Sequence, residues 1–261
     1  MLWVPIQNGW AMLIEADTYF ASDVHWQPGE QTGLFGHFLE RLAERARAGK
    51  PTHLYIVGDL FDYWVERGVE TLPGYAAHLG ALAAAGDAGV EISVLYGNRD
   101  FAAGPGLSKA CDAEIVGDRV ELMINEQRLL LHHGDLFCTR DWRYQFYRRV
   151  IRSRFVLGML GMLGMKRLVR LVGWMRVKSQ AETNRKPRHS MAIVDSRIAA
   201  EHAQGFDVVI CGHVHHPECR TVVGATPGQM LITLGTWDTK VGWYATAGKN
   251  GVALHCFDAG E

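Results

Sequence analysis

The fold class follows most directly from nine consecutive residues, Leu54-Tyr55-Ile56-Val57-Gly58-Asp59-Leu60-Phe61-Asp62. The first four are apolar and mostly β-branched or aromatic, which predicts a buried strand. Glycine and aspartate come directly after this strand, at the end where open α/β sheets place their functional sites. An aspartate after a strand is also commonly a helix N-cap, so the motif alone leaves both roles open.

Similar apolar segments lie on either side of this stretch, with helical spacing between them. Thr18–Ser22 and Ile92–Tyr96 are typical of strands. Gly33–Arg47 carries apolar residues at helical spacing, and Gly74–Ala88 is rich in alanine and leucine. This β-α-β-α-β alternation predicts an α/β fold with parallel strands.

The second half of the chain changes character. Two apolar strands, residues 120–124 and 128–132, predict a hairpin around Asn125-Glu126. Residues 140–204 are typical of helix almost throughout, and strands return at Val208–Cys211, Met230–Leu234 and Val252–Phe257. We therefore expect the helical block to be an insertion into one α/β domain.

The composition is that of an ordinary globular protein of 261 residues, with 48% hydrophobic and 21% charged residues. It excludes disordered and fibrous chains, and a net charge of −1 gives no global attraction to nucleic acid. Five cysteines without CxxC spacing indicate free thiols in a reducing compartment. Residues 1–16 lack a signal-peptide pattern, and the longest apolar run, Phe155–Met165, is too short to cross a bilayer. We expect a soluble, cytoplasmic protein.

One segment differs strongly in charge from the rest of the chain. Residues 140–188 contain 14 of the 27 basic residues but only two of the 28 acidic residues. Its net charge of about +12 predicts an anionic partner for this segment. The alternative is a solvated basic helix surface.

Polar side chains follow five of the predicted strands. The residues at these strand ends are Asp23, His25, Asp59, Asn98, His133, His213 and His215. Each one alone could be a cap or an ordinary histidine, but their repetition at five strand ends indicates a shared site. Four further residues flank them, namely Asp62, His132, Asp135 and His216. We expect the flanking acids to orient imidazole rings, with turn or cap roles as the alternative.

The residue types at these strand ends favour divalent metal ions. Carboxylate, amide oxygen and imidazole suit Mn²⁺, Fe²⁺ or Zn²⁺, and the set contains no thiolate. In Asp23-x-His25 and His213-x-His215, the strand period of two would direct both side chains to one face. Asp59 has two carboxylate oxygens and could bridge two ions. Two cations about 3.5–4 Å apart can activate a water molecule and stabilise phosphoryl oxygens during in-line attack.

The five motifs together resemble those of the calcineurin-like metallophosphoesterases. Over residues 18–240 the chain matches, in order, the pattern D-x-H, G-D-x-x-D, G-N-x-D, H-G-D and G-H-x-H. The resemblance implies an αββα sandwich, in which two mixed β-sheets are flanked by helices. It also implies two metal ions, one bound by Asp23, His25, Asp59 and His215 and the other by Asp59, Asn98, His133 and His213.

The third motif narrows the expected reaction. Many members of the superfamily have G-N-H here, and that histidine can protonate a leaving alkoxide. This chain has Arg99, which stays protonated and donates protons poorly, but can stabilise developing negative charge. A leaving group that needs no proton is therefore favoured, and a pyrophosphate linkage is the expected target.

A narrower resemblance is to the UDP-2,3-diacylglucosamine diphosphatases of lipid A synthesis, carried by Gly97–Phe101, His133–Thr139 and Met191–Asp195. It implies a manganese-dependent hydrolase that forms UMP and 2,3-diacylglucosamine 1-phosphate. It implies catalytic roles for Asn98, Arg99 and His213. The implied substrate contacts come from Asn98, Arg99, Asp141, Tyr144, Arg176, Ser179, Asn184, Lys186 and His213.

The chain departs from this family in three places. Asp62–Arg67, which follow Phe61, lack the further acidic pair of closer members. Gln180–Ser190 is about three residues longer than expected, so Asn184 and Lys186, or His189, fill the family positions only by a loose alignment. Residues 1–16 extend beyond the family's usual start, and Met12 is a possible initiator. We therefore expect one domain over residues 17–261 and an N-terminal extension before it.

The apolar run Phe155–Met165 has two explanations. It could be a buried core helix, or its methionines and glycines could form an adaptable groove for acyl chains. The adjacent Lys166, Arg167 and Arg170 suit anionic headgroups. We favour lipid contact, and expect residues 140–190 to form a lipid-binding cap that attaches reversibly to the inner face of the cell membrane.

Two other functions stay open at this point. The chain could be a general phosphodiesterase or nucleotide pyrophosphatase that acts on a soluble substrate. It could also be a metal-bound scaffold that has lost catalysis. Neither a nucleic-acid partner nor a protein partner is indicated.

Overall fold

The computed structural model describes residues 2–6, 9–13, 17–67, 70–71, 73–140, 142–183 and 192–258. The strands of these residues are β1 (Leu2–Ile6), β2 (Gly9–Leu13), β3 (Asp17–Ala21), β4 (Thr52–Ile56), β5 (Glu66–Arg67), β6 (Glu70–Thr71), β7 (Val90–Leu95), β8 (Glu114–Gly117), β9 (Arg119–Ile124), β10 (Gln127–His132), β11 (Val208–Cys211), β12 (Glu218–Arg220), β13 (Met230–Thr233), β14 (Val241–Gly248) and β15 (Gly251–Asp258). The helices are α1 (Gly33–Arg47), α2 (Ala76–Asp87), α3 (Pro105–Cys111), α4 (Trp142–Ile151), α5 (Arg154–Gly161), α6 (Met165–Thr183) and α7 (Asp195–His202).

Two mixed sheets form the centre of the molecule. One has seven strands in the order β1-β2-β9-β10-β11-β13-β12, and the other has six in the order β15-β14-β3-β4-β7-β8. Strands β3, β4, β7 and β8 are parallel, whereas β14 is antiparallel to β3. The predicted β-α-β-α-β unit is confirmed as β3-α1-β4-α2-β7.

Strand β4 shows how the layers are stacked. Leu54 and Ile56 belong to the apolar cluster shared with α1 and α2. Tyr55 and Val57 belong to the cluster between the two sheets, because successive residues of a strand point to opposite faces. The outer face of the seven-stranded sheet packs against Ile198 of α7. The predicted αββα sandwich is therefore confirmed.

The strand predictions were right where apolar residues are strongly patterned and incomplete elsewhere. The hairpin of β9 and β10 around Asn125-Glu126 is confirmed by their antiparallel register. Strand β14 was missed, because two glycines and two alanines in its sequence VGWYATAG interrupt the β-branched and aromatic residues. Residues 1–16 include strands β1 and β2, and β2 joins the sheet edge parallel to β9.

Helices α4, α5 and α6 lie between β10 and β11, where the cap was expected. The apolar run Phe155–Met165 is not one helix, since α5 ends at Gly161 and α6 begins at Met165. Leu168 of α6 is buried in the cluster that α1 and α2 share with the sheet. Among the described helices, none is both long enough and apolar enough to cross a membrane.

Candidate metal centre

The candidate ligands meet where the carboxyl ends of strands from both sheets face each other. The loops after β3, β4 and β7 belong to the six-stranded sheet, and the loops after β10 and β11 belong to the seven-stranded sheet. Backbone hydrogen bonds join the loops within each sheet, including Asp23 N–H to the carbonyl of Gly58 and Gly212 N–H to the carbonyl of His133. The backbone N–H of His213 joins the two sheets, because it donates to Oδ2 of Asp23. All seven candidate ligands are thereby brought together.

The backbone of these loops is strained. Eight non-glycine residues of the described chain have positive φ, and five of them are candidate ligands, namely Asp23, His25, Asp59, His213 and His215. Such conformations are uncommon for non-glycine residues and concentrate at functional sites. The strained backbone therefore includes five of the seven candidate ligands.

Close packing requires glycine at two positions beside the ligands. A Cβ atom on Gly97 would lie 2.2 Å from the backbone nitrogen and Oδ1 of Asp59. A Cβ atom on Gly212 would lie 2.3 Å from Oδ2 of Asp23. These glycines allow adjacent loops to approach closely enough for the ligands to cluster.

Asp23, His25 and His215 form the first part of the cluster. Oδ1 of Asp23 lies 3.3 Å from Nε2 of His215 and 3.7 Å from Nε2 of His25, and the two Nε2 atoms are 3.1 Å apart. Oδ2 of Asp23 accepts hydrogen bonds from Ser22 Oγ and the backbone N–H of His213. These two bonds orient the carboxylate and leave Oδ1 facing the histidines.

Asp59, Asn98, His133 and His213 form the second part. Oδ1 of Asn98 lies 2.9 Å from Nε2 of His133 and 2.9 Å from Nδ1 of His213. Oδ2 of Asp59 lies 3.6 Å from Nε2 of His133. Nδ1 of His133 must carry its proton, because it lies 3.0 Å from the carbonyl oxygen of Val57, which can only accept. Nε2 is therefore the atom available to a metal.

The cluster fits divalent cations by its chemistry and by its unsatisfied atoms. Donor atoms of Asp23, His25 and His215 lie within 4.8 Å of one another, as do those of Asp23, Asp59 and His133. Oδ1 of Asp23 and Nδ1 of His25 are buried and have no hydrogen-bond partner. Because unpartnered buried polar atoms are rare, such atoms in a carboxylate–imidazole cluster are well suited to a metal.

The protonation of the cluster follows from burial and from its carboxylates. Burial lowers the pKa of His25 well below its usual value and, with the neighbouring His133, lowers that of His213 to about 4. Both rings are therefore neutral at pH 7, the form that binds metals. Burial would lower the pKa of His133, but the carboxylates of Asp59 and Asp23 raise it to about 9. The carboxylates thus favour positive charge at the centre of the cluster.

Asp100 organises the cluster, a role that the sequence analysis missed. Its carboxylate is buried and accepts hydrogen bonds from the backbone N–H of Leu60 at 2.7 Å and of Gly97 at 2.8 Å. A weaker contact of 3.3 Å comes from the N–H of Asp59. Asp100 therefore joins the loop after β4 to the loop after β7. Its position at the end of G-N-R-D was the only available signal.

Arg99 lies beside this cluster between two carboxylates. Nη1 lies 2.8 Å from Oδ1 of Asp62, and Nε lies 3.4 Å from Oδ2 of Asp59. Asp62 also accepts a hydrogen bond from Nε of Arg176 at 2.7 Å. Among the described residues, the hydrogen-bond partners of Asp62 are these two guanidinium groups, so the expectation that Asp62 orients an imidazole was wrong.

Asp135 was also expected to orient an imidazole, and this was wrong. Among the described residues, its side chain accepts hydrogen bonds from residues of the cap instead. Oδ2 accepts hydrogen bonds from the Tyr144 hydroxyl and from Nε of Arg148, both at 2.6 Å. The Tyr144 ring lies 6.0 Å from the His213 ring. Arg152 donates to the carbonyl of Gly97 and to Asp118. Helix α4 is thereby held over the cluster.

The remaining predicted residues fall into three groups. Asp141, Asn184, Lys186 and His189 lie outside the described residues, and nothing is described of the Ser179 side chain in α6. His132 is buried, and its Nδ1 accepts the backbone N–H of Gly134. His216 is exposed beside the cluster.

The cap has one face against the core and another exposed. Leu160, Leu163 and Met165 pack against the apolar cluster under α1 and α2. The exposed large apolar residues of the cap are Trp142, Phe146, Tyr147, Val150, Phe155, Met159, Met162 and Trp174. Lys166, Arg167 and Arg170 are exposed nearby in sequence. The apolar run therefore packs against the core on one side and is exposed on the other, and lipid contact by the exposed side stays a prediction.

Comparisons with known proteins agree with this geometry. The family profile of calcineurin-like phosphoesterases matches residues 17–217. The UDP-2,3-diacylglucosamine hydrolase of Pseudomonas savastanoi pv. phaseolicola is 31% identical over 239 residues, which cover 91% of this chain and 94% of the relative. The protein of the same name from Pseudomonas fluorescens is 32% identical over 238 residues, with the same coverage. Among solved structures, Yfce, a phosphoesterase from E. coli, matches with 18% identity and a TM-score of 0.43 over 91% of each chain.

Proposed function

The chain belongs to the calcineurin-like phosphoesterase family, among the UDP-2,3-diacylglucosamine hydrolases, and on this basis we propose the reaction that it catalyses. It hydrolyses the pyrophosphate bond of UDP-2,3-diacylglucosamine and releases UMP and 2,3-diacylglucosamine 1-phosphate. The observation that carries this proposal is the convergence of seven carboxylate, amide and imidazole ligands beside Arg99. The names of the relatives supply the substrate.

Two divalent cations, which we propose to be Mn²⁺, suit the ligand cluster. Asp23, His25, Asp59 and His215 would hold one, and Asp59, Asn98, His133 and His213 the other. Two such cations supply charge that stabilises phosphoryl oxygens and makes a water molecule more acidic. The neutral rings of His25 and His213 and the unpartnered Oδ1 of Asp23 support this assignment.

Arg99 acts on the phosphate that leaves. Its guanidinium stays protonated throughout, so it stabilises negative charge instead of delivering a proton. A departing sugar phosphate needs no proton, which matches a pyrophosphate better than an alkyl ester. The backbone N–H of Arg99 donates to Oδ1 of Asp59 at 3.0 Å, so the guanidinium extends from a point fixed against the cluster.

Asn98 and His213 complete the group of proposed catalytic residues. Oδ1 of Asn98 lies between two imidazoles, which leaves its amide N–H groups for a phosphoryl oxygen. His213 lies between this amide and the ring of Tyr144 on the cap. We assign further substrate contacts to Asp141, Tyr144, Arg176, Ser179, Asn184 and Lys186.

We assign two contacts to the cap: it would bind the acyl chains of the substrate, and it would contact the membrane surface. Phe155 and Met162 are 75% and 77% exposed, and the segment around them is strongly basic. Apolar side chains beside exposed bases suit the boundary between acyl chains and anionic headgroups. We therefore place the protein in the cytoplasm, bound peripherally to the inner face of the cell membrane.

Hydrolysis of three substrates with purified protein and added Mn²⁺ tests the proposal. We expect rapid release of UMP from UDP-2,3-diacylglucosamine, and far slower cleavage of an unacylated UDP-sugar and of an activated phosphodiester. His133→Ala should abolish turnover and lower the bound metal. Metal-free wild-type protein that is indifferent to added metal, or a preference for the soluble substrates, would contradict it.

A further inference from the structure

Asp62 is one of the points at which the cap meets the loops of the metal cluster. Its side chain is 9% exposed and accepts hydrogen bonds from Nη1 of Arg99 at 2.8 Å and from Nε of Arg176 at 2.7 Å. Nη2 of Arg176 makes a second contact with the same carboxylate. Arg99 follows strand β7, whereas Arg176 lies in α6, 77 residues further along the chain.

The backbone around Asp62 is rigidly held. The N–H of Asp62 donates to the carbonyl of Trp26 at 2.8 Å. The next carbonyl, of Tyr63, accepts a hydrogen bond from the Tyr75 hydroxyl at 3.0 Å. Phe61 and Trp64 on either side are buried in the core. The carboxylate is therefore a fixed point to which two long, flexible side chains attach.

The charges explain why a carboxylate is needed here. The two guanidinium groups would repel each other without a shared counter-ion, and each could turn towards solvent. Their side chains are 24% and 19% exposed, so they remain accessible to a ligand. Asp62 supplies a single negative charge to the two guanidinium groups, and the second carboxylate near Arg99, that of Asp59, belongs to the candidate metal cluster.

We propose that Asp62 is a positioning residue for the pyrophosphate group. It sets the guanidinium of Arg99 and that of Arg176 side by side, so that the two phosphoryl groups meet donors already in place. It also joins the cap to the loop after β7, and thereby couples the seating of the substrate to the placement of Arg99. This inference rests on the proposed function, since it needs a pyrophosphate substrate.

The experiment compares Asp62→Ala, Asp62→Asn and Asp62→Glu with wild type on UDP-2,3-diacylglucosamine. We expect Asp62→Ala to lower kcat/KM about 10- to 100-fold, the usual effect of losing a residue that orients a catalytic group. Asp62→Glu should recover much of the loss because it restores a carboxylate, whereas Asp62→Asn should recover little. Bound metal should be unchanged. If Asp62→Ala fails to fold, the comparison of Asp62→Asn with Asp62→Glu is decisive.

A double-mutant cycle with Arg176→Ala separates positioning from general stability. In the Arg176→Ala background, the fold loss of kcat/KM caused by Asp62→Ala should be at least about threefold smaller than in wild type, because one of the two partners of Asp62 is already absent. Asp17→Ala is the matched control, since Asp17 pairs with Arg45 at the opposite end of strand β3. It should leave kcat/KM unchanged.

Four results would overturn the proposal. They are wild-type activity in Asp62→Ala, strictly additive losses in the cycle, no recovery with Asp62→Glu, and a loss of metal that parallels the loss of activity. Absence of turnover by wild type would instead refute the proposed function. The two failures are therefore distinguishable.

Discussion

Replacing Asp100 with alanine should destabilise the protein strongly, because two buried backbone donors would lose their acceptor. The side chain is 1% exposed, and its two short hydrogen bonds come from Leu60 at 2.7 Å and Gly97 at 2.8 Å. Each buried donor left without a partner costs about 1–3 kcal/mol. The free energy of unfolding should therefore fall by about 2–6 kcal/mol. Asp100→Asn retains one acceptor oxygen but directs its NH₂ group, a donor, at the other backbone N–H, so it should lose at least half as much.

Urea unfolding monitored by circular dichroism measures this effect. All variants are compared in the presence of a chelator, so that bound metal does not contribute to stability. Asp238→Ala is the matched control, because Asp238 also accepts two backbone N–H bonds, at 2.7 and 2.8 Å, but is exposed. Water can replace it, so the loss should stay under about 1 kcal/mol. Equal losses in both variants, or a loss under about 0.5 kcal/mol for Asp100→Ala, would refute the role of Asp100.

Three further predictions concern the metals, Arg99 and the cap. Removing metal from the wild-type protein with a chelator should lower the Tm and abolish turnover, and added Mn²⁺ should restore both. The same Mn²⁺ concentration should restore neither the Tm nor turnover in the His133→Ala variant. Arg99→Ala should lower kcat about 10²- to 10³-fold with metal content unchanged, since it removes one well-placed charged donor; a rate near wild type would make Arg99 structural. Phe155→Ser with Met162→Ser should weaken sedimentation with anionic vesicles and slow turnover of the diacylated substrate, but not of its unacylated analogue. Val223→Ser is the matched control, because Val223 is 84% exposed outside the cap; equal effects of the control would contradict the lipid surface.

The strands that position the cluster could be predicted from sequence because their residues are strongly apolar. All five residues of β4 are buried, as expected for a strand that is covered on both faces. The sequence indicates this burial, because the residues from Leu54 to Val57 form a continuous apolar run. Strand β14 was not predicted, because two glycines and two alanines interrupt its β-branched and aromatic residues. It is held in place by pairing with β15, which follows it directly, and with β3, which is distant in sequence.

The partners of the polar residues were harder to predict than their positions. Asp62 and Asp135 were expected to orient imidazoles, because both flank the candidate ligands in sequence. Their hydrogen-bond partners include Arg176 and Arg148, which the cap brings over the cluster from distant sequence. In the same way, an apolar run does not reveal that Leu160 faces the core while Met162 is exposed.

The most direct test of the central claim is the product analysis of one reaction in ¹⁸O-labelled water. UDP-2,3-diacylglucosamine is incubated with the Mn²⁺-loaded protein, and the products are identified by mass spectrometry and phosphorus NMR. We predict UMP and 2,3-diacylglucosamine 1-phosphate in equal amounts, with one ¹⁸O atom in the phosphate of UMP, because the sugar phosphate departs, and none on the sugar carbon. Release of UDP, a label on the sugar carbon, or no turnover by metal-loaded protein would contradict it.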